Sequence, residues 1–136
     1  MKQRIIINNY GASEDNFIKA LEKTIEISEM NNQSVSFVIP TIQNLNGVVN
    51  NVLGESNIKC FIKGKKIKIN NTDFYLITEK SLRNIKAPIV LCVYANSNIL
   101  EKLNDFTAIS CEIILPWTDE DVEFYKKIWG NEIEFI

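Results

Sequence analysis

From Ala87 to Ala95 the chain reads Ala-Pro-Ile-Val-Leu-Cys-Val-Tyr-Ala, without a single charged side chain. A strand of this composition cannot turn one face to water. It has to be covered on both sides, which is the condition of a central strand in a parallel sheet. The run is too short, and too interrupted by Pro88, to span a bilayer. Parallel neighbours need crossover connections, so helices have to alternate with the strands.

The rest of the sequence supplies that alternation. Arg4–Ile7 reads as a buried strand, followed by a loop, Asn8–Ser13. A helix over about 14–30 then repeats Phe17, Leu21 and Ile25 on one side. Ser13 is its natural N-cap, and Asn31-Asn32 stop it. Val35–Ile39 is a second strand ended by Pro40. Thr41 caps an expected helix reaching Leu53, with Gly54 at its C-terminal end and Gly47 as an interior weakness. Short β runs follow at 58–62, 66–69 and 74–77, separated by turn-forming pairs, and predict a β-hairpin insert around residues 58–77. After a short helix over 79–85 come the strand 88–94, a helix over 96–103 and a strand over 108–115 ended by Pro116. Thr118 caps a last helix to Trp129, and Glu132–Ile136 alternates as one more edge strand. The expected fold is α/β, a three-layer α/β/α sandwich with a Rossmann-like, mostly parallel sheet, in a single domain over 1–136. The pattern resembles that of small bacterial Rossmann-like proteins, a resemblance that carries no functional residue across.

Composition removes several chemistries. There is no histidine in the 136 residues, so a His-dependent triad and a His-ligated metal are out of reach. Cys60, Cys92 and Cys111 are far apart, form no C-x-x-C, and sit in apolar runs, where they read as buried packing residues. The start of the chain has too short an apolar stretch for a signal-peptide core, which sets a cytoplasmic expectation. No membrane partner is expected from a net charge of -2.

The strong phosphate signatures are missing too. Position 59 is lysine where a P-loop ending in Gly64-Lys65 needs glycine, and G-x-G-x-x-G does not occur. Gly11-Ala12-Ser13 begins like a nucleophile elbow but lacks the second glycine. What remains is the edge where the loops after parallel strands gather. There Asn9, Tyr10, Gly11, Ser13, Thr41, Asn96, Ser97, Trp117 and Thr118 are the candidate ligand-binding residues. Helix N-termini suit an anion, Gly11 permits close approach, and Tyr10, Tyr94 and Trp117 offer rings to stack on. The competing reading is that each hydroxyl or amide only caps its own helix.

The expectation is thus a binding domain for a small anionic or nucleotide-like ligand, with no catalytic residue, no metal and no cofactor. The alternative is a protein–protein interaction module, a homodimer or a docking domain. A hydrolase or phosphotransferase using Asp15, Asp119 or Asp121 with a metal stands third. Charge is uneven: Lys59, Lys63, Lys65, Lys66, Lys68, Lys80, Arg83 and Lys86 face only Asp73 and Glu79 between residues 57 and 87, whereas the segment from 112 onward is acidic. Lysines on a hairpin protect an edge strand. With no aromatic among them, nucleic acid is not an expected partner. The opposite charges suit a homo-oligomer.

Overall fold

The computed structural model describes residues 2–136. Its strands are β1 (Gln3–Ile6), β2 (Val35–Ile39), β3 (Lys66–Ile69), β4 (Thr72–Thr78), β5 (Ile89–Ala95), β6 (Cys111–Pro116) and β7 (Ile133–Phe135). All seven join one sheet in the order β3-β4-β2-β5-β6-β1-β7. Every pairing is parallel except that of β3 with β4. The helices are α1 (Glu14–Asn31), α2 (Val48–Leu53), α3 (Glu55–Gly64), α4 (Ser97–Asn104) and α5 (Asp119–Trp129), with 3-10 turns at 42–45, 79–84 and 130–132.

Two cores follow from the two faces of the sheet. Phe17, Leu21 and Ile27 of α1, Val49 of α2 and Phe61 of α3 pack on Ile5, Phe37, Phe74, Leu91 and Ile113. On the other face Ile99 and Leu103 of α4 and Val122 and Tyr125 of α5 cover Ile6, Val38, Val90 and Ile114. β5, the apolar run that implied a parallel sheet, is buried at every position and lies at the centre of the order. The expected three-layer α/β/α arrangement is therefore present.

Three local expectations are corrected. Residues 58–62 are not a strand but the middle of α3. Ile58 and Phe61 are buried while Lys59, Cys60 and Ile62 face out, a helical spacing hidden in a short apolar run. Lys59 also pairs with Glu55 one turn earlier, at 3.5 Å. Cys60 is consequently exposed, whereas Cys92 and Cys111 are buried as expected. The expected helix from Thr41 to Leu53 is broken, because Gly47 adopts φ 80° and separates a 3-10 turn from α2.

The hairpin itself is shorter than expected and integral to the sheet. Asn70 and Asn71 both take positive φ, joining β3 to β4 by a two-residue turn of the kind that matches strand twist. β4 then lies beside β2 inside the sheet, leaving β3 at the edge. At the opposite edge the tail forms β7, and Ile136 is tied back by Ile136 N–H to Ile6 O (3.0 Å) and Asn8 N–H to Ile136 O (3.0 Å).

Candidate functional site

β1 and β6 are neighbours, yet their following helices leave to opposite faces, α1 to one and α5 to the other. Such a switch point marks the β1/β6 edge, beyond the C-terminal ends of the strands, as the position at which α/β sheets bind ligands. Asn9, Tyr10, Gly11 and Ser13 come from the loop after β1, and Trp117 and Thr118 from the loop after β6. The loops are joined: Gly11 N–H donates to Pro116 O at 3.0 Å, and Trp117 N–H donates to Ala95 O at 3.3 Å. Gly11 holds φ 85°, a left-handed conformation that favours glycine, and a Cβ there would lie 3.8 Å from the Trp117 carbonyl. Its glycine is required by backbone conformation more than by space.

Beside that joint two large rings are half free. Tyr10 is 50% exposed and Trp117 47%. Tyr94 is different. It is buried at φ 62° in a bulge of β5, where Val93 pairs with Leu115 and Ala95 with Pro116. Its ring meets Trp117 edge to face at 5.0 Å and so props that indole, but it offers no free stacking surface.

The small polar residues are occupied by their helices. Ser13 Oγ accepts from Asn16 N–H (3.4 Å) and Asn96 Oδ1 from Ile99 N–H (3.0 Å). Thr118 and Asp121 form a reciprocal capping box, with Thr118 N–H donating to Asp121 Oδ2 at 3.1 Å. Thr41 bonds Asn44 Oδ1 through its amide at 2.9 Å. Thr41, Asn96 and Ser97 lie around β2 and β5 rather than at the β1/β6 edge. There Glu79 N–H reaches Pro40 O at 3.3 Å, and Asn96 Nδ2 reaches Glu79 Oε1 at 3.3 Å. The nine candidate residues thus fall into two groups along one edge, linked by the Trp117–Ala95 bond.

The helix starts that flank this edge are acidic. Glu14 and Asp15 occupy the first turn of α1, and Asp119, Glu120 and Asp121 that of α5. They complement the helix dipoles and offset the positive field that an anion would use. Among the described residues no three Asp, Glu or Cys side chains are arranged to hold a metal ion.

A polar cluster that sequence reading missed lies at the other end of the same strands. Glu112, 2% exposed, takes the Tyr125 hydroxyl on Oε1 at 3.1 Å and the Lys2 ammonium on Oε2 at 2.9 Å. Arg4 stacks over the Trp129 ring at 3.3 Å and pairs with Glu132 at 3.6 Å. Burial, with the Glu112 charge and hydrogen bond added, pushes the Tyr125 phenol well above its ordinary pKa. The available signal was Glu112 itself, a carboxylate inside an otherwise apolar strand that needs a partner. Arg4 Nε is buried there without a hydrogen-bond partner, and the remaining contacts of the cluster are internal to the fold. Set against family models, curated proteins and solved structures, the chain shows no significant match.

Proposed function

We propose that this domain is a non-catalytic binding module taking a small, nucleotide-like ligand at the C-terminal edge of the sheet, beside β1 and β6. The observation that carries the reading is the pair of half-exposed rings, Tyr10 and Trp117, flanking the Gly11–Pro116 joint at a topological switch point. The ring of such a ligand stacks on an aromatic, and its polar atoms meet the loop backbone. The five carboxylates of the two first turns disfavour a densely charged anion, so a nucleoside or a magnesium-neutralised nucleotide suits the site better than a free sugar phosphate.

The test is a thermal-shift panel of nucleosides, nucleotides and sugar phosphates, with and without magnesium, read together with Trp117 fluorescence. At a hundredfold excess over Kd a ligand stabilises by about 2.7 kcal/mol. That is a rise of several degrees for a domain of this size. Gly11→Val, which forces a β-branched residue to φ 85°, removes the shift. A panel that leaves both melting and fluorescence unchanged refutes the reading.

A second reading, a protein–protein interaction module, draws on the same rings, since exposed Trp and Tyr are the residue types that anchor interfaces. It is separated from the first by mass. Light scattering that gives a dimer, converted to monomer by Trp117→Ala, favours the interface over the ligand.

A further inference from the structure

Two hairpin lysines, Lys65 and Lys66, share a surface with an aromatic ring that their spacing in sequence concealed. In β4, Phe74 and Leu76 enter the α1-side core, so Tyr75 between them points to the opposite face, where it is 36% exposed. The antiparallel register sets Lys66 directly across from Tyr75, with the ammonium 5.6 Å from the ring centroid. Tyr75 lines a groove of about 840 Å³ together with Lys65, Lys86, Ser81, Asn84 and Ser34. Lys65, Lys66, Lys68 and Lys86 are all exposed. Asp73 is the carboxylate that faces them, shared by Lys66 at 3.8 Å and Lys68 at 3.9 Å. Lys65 and Lys86 have no such partner among the ion pairs of the described residues.

We propose that this groove binds single-stranded nucleic acid. A base stacks on Tyr75, and Lys65, Lys86 and Lys66 meet successive phosphates. Ser81 and Asn84 supply donors and acceptors for a sugar or base edge. An exposed ring in a groove that also carries unpaired cations, here Lys65 and Lys86, is the pattern by which strands are held without regard to sequence. An acidic peptide would satisfy the lysines and leave the ring without a partner. Ser34 and Ala87, which precede β2 and β5, mark this groove as lying toward the strand starts, away from the Gly11 loop. The inference is independent of the small-ligand reading.

The experiment is fluorescence anisotropy with end-labelled oligo-dT and oligo-U of about a dozen nucleotides, titrated with the full chain across a salt series. Binding at low salt is expected, with log K falling by roughly 2 per decade of salt for three phosphate contacts. Tyr75→Ala weakens binding roughly fivefold to a hundredfold at unchanged salt slope. Tyr75→Phe retains it. Lys65→Gln with Lys86→Gln flattens the slope. A circular-dichroism melt checks that each variant is folded. Absence of binding at low salt overturns the proposal, as does binding that Tyr75→Ala leaves intact while polyglutamate displaces the strand. Loss in Trp117→Ala with retention in Tyr75→Ala also overturns it, and moves the strand to the opposite edge.

Discussion

Glu112 shows how one residue can constrain its surroundings. A buried carboxylate is tolerated only with partners, and Tyr125 of α5 and Lys2, which precedes β1, provide them. Removing the phenol in Tyr125→Phe deletes a hydrogen bond to a charged group, and about 1.5–3 kcal/mol of stability should go with it in urea unfolding at neutral pH. The same residue shapes the alkaline limit. Its folded pKa lies above the ordinary value of 10.0, so the folded state keeps a proton that the unfolded chain gives up. That stability is present below pH about 10 and is lost as pH rises further. Cys111 acts in the same sense, since burial first and Glu112 second push its thiol up to about 12 from 9.0. Stability should therefore decline from about pH 9 toward 12, by up to about 1.4 kcal/mol per pH unit for each such group, and Tyr125→Phe should flatten the part above pH 10. The thiols also report the corrected helix. A disulfide reagent should titrate one cysteine, Cys60, in the folded protein and all three in denaturant. Fast reaction of Cys92 in the native state would contradict the packing of β5.

At the scale of elements, the ends are better tied than their composition suggests. β7 is only Ile133–Phe135, yet it pairs in parallel with β1, and Ile136 packs on the α1-side core. Lys23 reaches Glu134 at 3.9 Å and Lys126 lies 5.3 Å from the Phe135 ring, so both faces of the tail are held. Deleting residues 132–136 should lower the melting temperature by several degrees, because the deletion bares the flank of β1 and removes the backbone bonds of Ile136 to Ile6 and Asn8. An unchanged melt would mean the strand frays in solution. Caps act on the same scale. Thr118→Ala breaks the Thr118–Asp121 box and should cost about 1 kcal/mol, whether or not the edge beside it binds anything. A ligand-dependent loss is thus distinguishable from a cap effect by repeating the melt without ligand.

At the scale of the whole molecule, contacts are set by partners distant in sequence. Both neighbours of β1 lie beyond residue 110, and β5 sits between β2 and β6. Pairing of this kind has to close long loops before it stabilises anything. A fragment ending at residue 86 leaves β1 without either neighbour and β2 without β5, so it should give a collapsed amide spectrum in NMR rather than native dispersion. The same topology sorts charge. It sets the acidic first turns of α1 and α5 at the C-terminal edge of neighbouring strands and brings Lys65 and Lys86 into one groove with Tyr75. No helix among the described residues is long and apolar enough to cross a membrane.

The elements whose evidence is local were legible in the sequence. The uncharged run 87–95 required a central parallel strand because no face of it tolerates water. Ser13, Thr118, Asn32 and Gly130 mark helix ends because capping is a bond within a few residues. The alternation of 132–136 marked an edge strand. The region 58–62 misled, since a short apolar run shows no period until its neighbours are known, and the helix there follows from Ile58 and Phe61 meeting a core built by distant strands. Only the tertiary structure decided which polar residues stand together. The Lys2–Glu112–Tyr125 cluster, the Gly11–Pro116 joint and Tyr75 beside Lys66 each depend on strand order or register. Strand order is settled by the packing of all the layers at once, and register by apolar faces meeting across the sheet, so neither is written in any single stretch of chain.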